Sequence, residues 1–202
     1  NTCDGDSWKV TDGGIAFPNN KTWQQYVDAR RLEISCGEAP YLVSRYNTVT
    51  GEPIQVRDRI GILDRKLRIV SENTQTEEDW LKWAIRAFQS TYGYEYQGDN
   101  VLLARENLLF TFEDYMVNKF DKKPTLVQMK KIANIVAWNI WQMDGITMTT
   151  PYSEAAPLHR QMTIFDYMND NVEEEKVPMY SLIRDWRAEE TIEFRSLMSE
   201  GY

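Results

Sequence analysis

Leu32-Glu33-Ile34-Ser35-Cys36-Gly37-Glu38-Ala39-Pro40 is the stretch that decides the fold class: a short apolar segment runs straight into a break of small residues. It is too short for its period alone to separate helix from strand. Its surroundings supply the distinction. Upstream, Lys21 to Arg31 places Trp23, Tyr26, Val27 and Ala29 on one helical face. Downstream, Tyr92-Gly93-Tyr94-Glu95-Tyr96 has the aromatic alternation of a strand and breaks at Gln97-Gly98-Asp99-Asn100. Ile135 to Met143 reads as a third, buried strand, ended by Asp144-Gly145.

Helical patterns fill the intervals. Tyr41 to Tyr46 is expected to resume as a helix before the turn-rich Asn47 to Gly51. Arg59 to Val70 carries Ile60, Leu63, Leu67 and Val70 at helical spacing, with a basic outer face. Thr76 with Asp79 is an N-terminal signature for a helix over Trp80 to Ser90. Asn100 to Lys119 is the longest helix, and Pro124 opens another that reaches Ala133. Met179 to Arg184 and Thr191 to Leu197 suit an antiparallel hairpin, whereas the first twenty residues and Thr147 to Asn171 read as loop. Strands separated by helices predict an α/β domain with a parallel sheet, helices on both faces and a late antiparallel hairpin.

Length and composition agree with one domain over residues 1–202: 42% of residues are hydrophobic, 27% charged and 12% aromatic, too apolar for disorder. The formal charge of -8 denies this chain the basic footprint of a nucleic-acid binder, so DNA contact is expected to be local or made elsewhere. Cys3, Cys36 and the single histidine His159 are too few for a zinc cluster and leave Cys36 without a base nearby in sequence. No metal site is expected. Neither a signal sequence nor a run of about 18 apolar residues is present, which points to a cytoplasmic chain with no membrane partner. The start at Asn1 suggests a processed or cut boundary.

In an open parallel sheet, ligands bind at the carboxyl ends of the strands. The first strand end offers Cys36-Gly37-Glu38-Ala39, where small residues let a ligand approach the backbone. At the second, Glu95 can accept hydrogen bonds from both ribose hydroxyls of an adenosine, and at the third Asp144 can accept the exocyclic amine of adenine. Each feature alone has a plainer account: small residues often follow strands, Glu95 suits a surface loop, and Asp144-Gly145 suits a turn. In this order on three successive strand ends they describe a nucleoside site.

These residues resemble the motifs of S-adenosylmethionine-dependent DNA adenine-N6 methyltransferases, the methylase subunits of restriction-modification systems. Leu32 to Pro40 is similar to the first motif, in which an acidic residue precedes Pro, Ala, Cys and Gly. Tyr92 to Tyr96, with Asn100 to Leu108, resembles the second motif and its helix, and Asn139 to Gly145 resembles the third. Phe17-Pro18 stands where the family places an element that closes over the methionine end of the cofactor. The resemblance, which spans Phe17 to Gly145, implies a Rossmann-like class I methyltransferase sheet that binds S-adenosylmethionine. It implies a cofactor set of Phe17, Pro18, Glu33, Cys36, Gly37, Glu38, Ala39, Glu95, Tyr96, Asp144 and Gly145.

Two departures accompany it. Ala39-Pro40 replaces the second loop glycine, and the family's catalytic Asp/Asn-Pro-Pro-aromatic motif is missing. Thr149-Thr150-Pro151-Tyr152 keeps only the final Pro-Tyr, so no catalytic residue is assigned. The motif is expected just past Tyr202, which would make this chain the cofactor-binding part of a longer enzyme. Double-stranded DNA would then be met through sequence or subunits outside the chain, alongside a restriction or specificity subunit. One alternative is a catalytically inactive remnant that holds the cofactor or a partner. A dinucleotide-binding oxidoreductase is another; the compact glycine fingerprint is absent, and Glu95 lies far more than the usual ~20 residues past the first loop.

Overall fold

Three threonines set helix starts by local chemistry. Thr22, Thr76 and Thr125 each accept, through the side-chain hydroxyl, a backbone N–H three residues on, and at Thr22 and Thr125 a glutamine side chain accepts the cap's own N–H. The computed structural model describes residues 21–151, 153 and 178–199, with Gly14 and Phe17. The elements run α1 (Trp23–Asp28), β1 (Arg31–Ile34), α2 (Ile62–Asn73), α3 (Glu77–Gln89), β2 (Thr91–Glu95), α4 (Gly98–Phe120), α5 (Leu126–Asn139), β3 (Ile140–Gln142), β4 (Leu182–Asp185), β5 (Glu190–Glu193) and α6 (Ser196–Ser199). No helix among the described residues is long and apolar enough to cross a membrane.

β1, β2 and β3 form a small parallel sheet in sequential order, with Arg31 beside Thr91 and Gly93 beside Ile140. β4 and β5 pair antiparallel as a separate hairpin. Alternation along the strands divides the sheet residues between two faces. On one face Gly93 and Ile140 meet the helical core, where Leu63, Leu67, Trp80, Phe88, Phe112 and Ile135 are fully buried or nearly so. Gly93 allows close packing there, because a Cβ would lie 3.1 Å from Cys36 Sγ and from a Leu42 methyl, and both side chains would have to shift. The other face presents Tyr92, Tyr94, Trp141 and Met143 to the hairpin. Phe194 meets the rings of Tyr94 and Trp141 at 5.9 and 5.5 Å, and the Tyr92 hydroxyl donates to the Arg184 carbonyl. The sequence pattern predicts helices on both faces; among the described residues this second face is met by the hairpin instead.

Three further expectations are corrected. Tyr41 to Tyr46 is not helical: a turn leads into a bridge between Tyr46 and Pro53, because the Ser44 hydroxyl and backbone are occupied at a distance. Ser44 Oγ accepts the N–H groups of Ile60 and Gly61, and its own N–H donates to Asp64. The run from Ile135 to Met143 is divided, with α5 continuing to Asn139 and only Ile140–Gln142 extended. Asn139 fixes that boundary by donating to the carbonyls of Phe88 and Thr91 while accepting the Trp186 indole N–H. The outer face of α2 is not uniformly basic, since Arg59, just before it, and Lys66 are buried.

Lys66 is an interior staple. Its ammonium donates to Ala29 O, Ser90 O and Ser90 Oγ at 2.7, 3.0 and 2.7 Å, tying the segment after α1 to the end of α3. Burial, reinforced by the charge of Arg31, lowers its pKa from 10.5 to about 7. The unfolded chain therefore binds more protons than the folded one between those values, and this group's contribution to stability rises with pH across that window. Urea unfolding of Lys66→Met should lose that rise: the stability of the parent minus that of the variant increases from pH 7 to pH 9.5. A difference that is flat in pH would show that Lys66 stays charged in the folded state.

Candidate functional site

The three parallel strands carry their carboxyl ends to one edge of the sheet, and the loops that follow are held there by main-chain bonds. After β1 the chain turns through Ser35, Gly37 and Ala39, all at positive φ (50°, 54° and 68°). Glycine suits such a turn; Ser35 and Ala39 adopt it against their preference. The turn persists because Cys36 N–H donates to Tyr94 O at 2.8 Å, and Ala39 N–H donates to Cys36 O at 2.8 Å.

Glu95 is the hinge of the arrangement. Buried at the end of β2, its carboxylate accepts Gly37 N–H on Oε2 at 3.0 Å and Gln97 N–H on Oε1 at 3.1 Å. One side chain thus clamps the loop after β1 to the start of α4. Each carboxylate oxygen can accept a further hydrogen bond. Beyond Gly37 the surface is open, since a Cβ there would meet nothing within 4 Å.

The third strand end is a compact turn. Asp144 Oδ1 accepts Ile146 N–H and Thr147 N–H at 2.8 and 3.2 Å, leaving Oδ2 without a hydrogen-bond partner among the described residues. Gly145 lies against Tyr94, whose ring atoms would be 3.0 Å from an added Cβ. Gln142 reaches back to donate to Tyr96 O at 2.9 Å, so the second and third loops are joined as well.

The sequence-derived candidates fall into two groups. Cys36, Gly37, Glu38, Ala39, Glu95, Tyr96, Asp144 and Gly145 are gathered on this edge. Cys36 is buried, and burial with the charge of Glu95 pushes its thiol up to about 12, which suits a packed side chain and not a nucleophile. Ala39 is fully buried in the core, so its side chain is turned away from any ligand. Tyr96 is exposed. Glu33 is placed on the helical-core side of β1, lining a separate cleft, where burial raises its pKa. Phe17 is half-buried against the Tyr26 ring at 5.8 Å, remote in sequence and packed with the helical core. Pro18, Tyr152 and His159 lie outside the described residues. Thr149 is buried and bridged to Tyr180, a structural placement.

Two residues missed as site residues support the first loop. Tyr46 OH donates to the Glu38 carboxylate in a short contact, and Asn107 on α4 donates to Glu38 O at 3.0 Å. Burial first, then this bond to Glu38, raises the Tyr46 pKa. Asn107 falls within the second-motif helix, but nothing local marks either residue as a partner of Glu38. The trio of Gly37, Glu95 and Asp144 can offer open backbone and two carboxylates to a polar ligand that lies along the strand ends. No protein-family model, curated protein or solved structure matches this chain.

Proposed function

We propose that this chain is the S-adenosylmethionine-binding part of a DNA adenine-N6 methyltransferase of a restriction-modification system, built on a Rossmann-like class I methyltransferase sheet. One geometric fact supports the reading above the rest: Glu95 sits at the end of β2 with its carboxylate on the Gly37 amide, beside a backbone open to approach. A ribose bound there would donate its hydroxyls to the remaining lone pairs of Glu95, and the adenine amine would donate to Asp144 Oδ2. The residues fit the cofactor at these points; Ala39, directed into the core, leaves contact with the loop to the Gly37 and Glu38 backbone.

The bound cofactor would supply an electrophilic sulfonium methyl. Attack by the target adenine amine is an in-line displacement, so the chain's task is positioning, with the Glu95 clamp fixing the first loop before the ligand arrives. The missing catalytic tetrapeptide favours a second reading, an inactive remnant that retains cofactor binding.

Transfer of labelled methyl to adenine-containing duplex DNA separates the two. Activity is expected only from a chain extended past Tyr202 that contains the catalytic tetrapeptide, and not from residues 1–202 alone. An extended chain that binds the cofactor yet transfers nothing would establish the remnant. Transfer by residues 1–202 alone would show that the missing motif is dispensable and overturn the division of labour proposed above.

A further inference from the structure

β1 is an edge strand among the described residues. The bond from Arg31 N–H to Ser90 O turns the backbone groups of Arg31 and Glu33 toward β2, so those of Leu32 and Ile34 point outward, without a partner among the described residues. The same two residues expose their side chains, 41% for Leu32 and 64% for Ile34. Charge within the strand, here Arg31 and Glu33, is an ordinary device for restricting which strand such an edge accepts, while Leu32 and Ile34 leave apolar side chains exposed between them.

Concave surfaces flank the edge on both faces. On the Leu32 side a hollow of about 150 Å³ is lined by Leu32, Tyr92, Ile183 and Phe194 together with charged residues that include Arg30 and Asp185. On the Glu33 side lies a cleft of about 660 Å³, lined by Glu33, Tyr41, Ile60 and Arg65 among others. A strand added at this edge would send alternate side chains into one concavity and the other.

We propose that the added strand is β1 of a second copy of this chain, paired antiparallel about a two-fold axis. Charge selects that partner and its register. Pairing the outward backbone groups allows Leu32 to face either the partner's Leu32 or the partner's Ile34. Facing the partner's Ile34 would set Glu33 against the partner's Glu33, a repulsive contact. Facing the partner's Leu32 sets Arg31 against the partner's Glu33, and by symmetry does so twice. Arg31 and Glu33 share one face, and neither side chain has an ion-pair partner within the described part of its own chain. A four-residue strand buries little area, so the dimer is weak and concentration-dependent.

Sedimentation velocity over roughly a hundredfold range of concentration should therefore show a reversible monomer–dimer equilibrium. Glu33→Arg should weaken it by about tenfold or more, since both cross-strand pairs become repulsive. The double variant Arg31→Glu, Glu33→Arg should restore it, as should mixing the two single variants. Arg31 is exposed and Glu33 half-buried at the rim of its cleft, so unchanged melting confirms that the variants fold. In hydrogen exchange, the Leu32 and Ile34 amides should slow as the dimer fills. A monomer throughout the range, a dimer indifferent to Glu33→Arg, a double variant as weak as the single, or a dimer that leaves those amides unprotected would each overturn the proposal.

Discussion

Trp80→Ala is expected to cost about 3–5 kcal/mol of folding stability, the full range for emptying a large aromatic site in a packed core. Trp80 is completely buried on α3. Its ring stacks on Phe112 and meets Phe120 edge-on, both at 5.8 Å, so it joins α3 to two turns of α4. The indole N–H donates to Ser71 Oγ at 2.9 Å, which adds α2 to the same junction. Alanine would leave a cavity at the meeting of three helices and strip Ser71 of its donor. The surrounding rings are themselves held by neighbours, as Phe112 is by Phe88 at 6.0 Å, so collapse into the void is restricted. Urea unfolding checks the loss, with Trp80→Phe as a companion that keeps ring contacts and drops only the hydrogen bond. A cost near 1 kcal/mol for Trp80→Ala would mean that the helical layer is more adaptable than this packing implies.

What the sequence made legible was local. The cap at Thr76 and the aromatic alternation of Tyr92 to Tyr96 lie in a few adjacent residues, and both appear where expected. The run from Ile135 to Met143 is not decidable in that way: it is apolar on every side, and periodicity cannot divide such a run between helix and strand. Its division at Asn139 depends on acceptors at Phe88 and Thr91, 51 and 48 residues earlier. Lys66 escapes for the same reason. At helical spacing it reads as one more surface cation, and only the folded chain brings Ser90 to its ammonium.

The candidate site follows the same division. The residue types at the three strand ends are visible in the sequence, and the order of the strands sets them side by side. The clamp between Glu95 and Gly37 is not, because 58 residues separate them. Glu33 and Ala39 belong to the first motif by resemblance alone; alternation puts Glu33 over a different cleft, and the left-handed turn buries the Ala39 methyl.

Glu95 carries the proposed function, and its truncation should have the second large effect. Glu95→Ala removes a carboxylate that satisfies two main-chain N–H groups and would anchor both ribose hydroxyls. Hydrogen bonds to a charged partner contribute roughly 1.5–3 kcal/mol each, so ligand affinity should fall by at least about tenfold, with some loss of stability from the released loop. Asp144→Asn distinguishes a ligand effect from a loop effect. It preserves an oxygen for the Ile146 and Thr147 amides but presents a donor where the adenine amine needs an acceptor.

Cofactor binding at the strand ends is tested most directly by calorimetric titration of the parent chain, Glu95→Ala and Asp144→Asn with S-adenosylmethionine, S-adenosylhomocysteine and NAD. The parent should bind the first two ligands saturably, both variants should bind them more weakly, and NAD should not bind. Binding of NAD alone, or a Glu95→Ala chain that binds S-adenosylmethionine as tightly as the parent, would contradict the assignment.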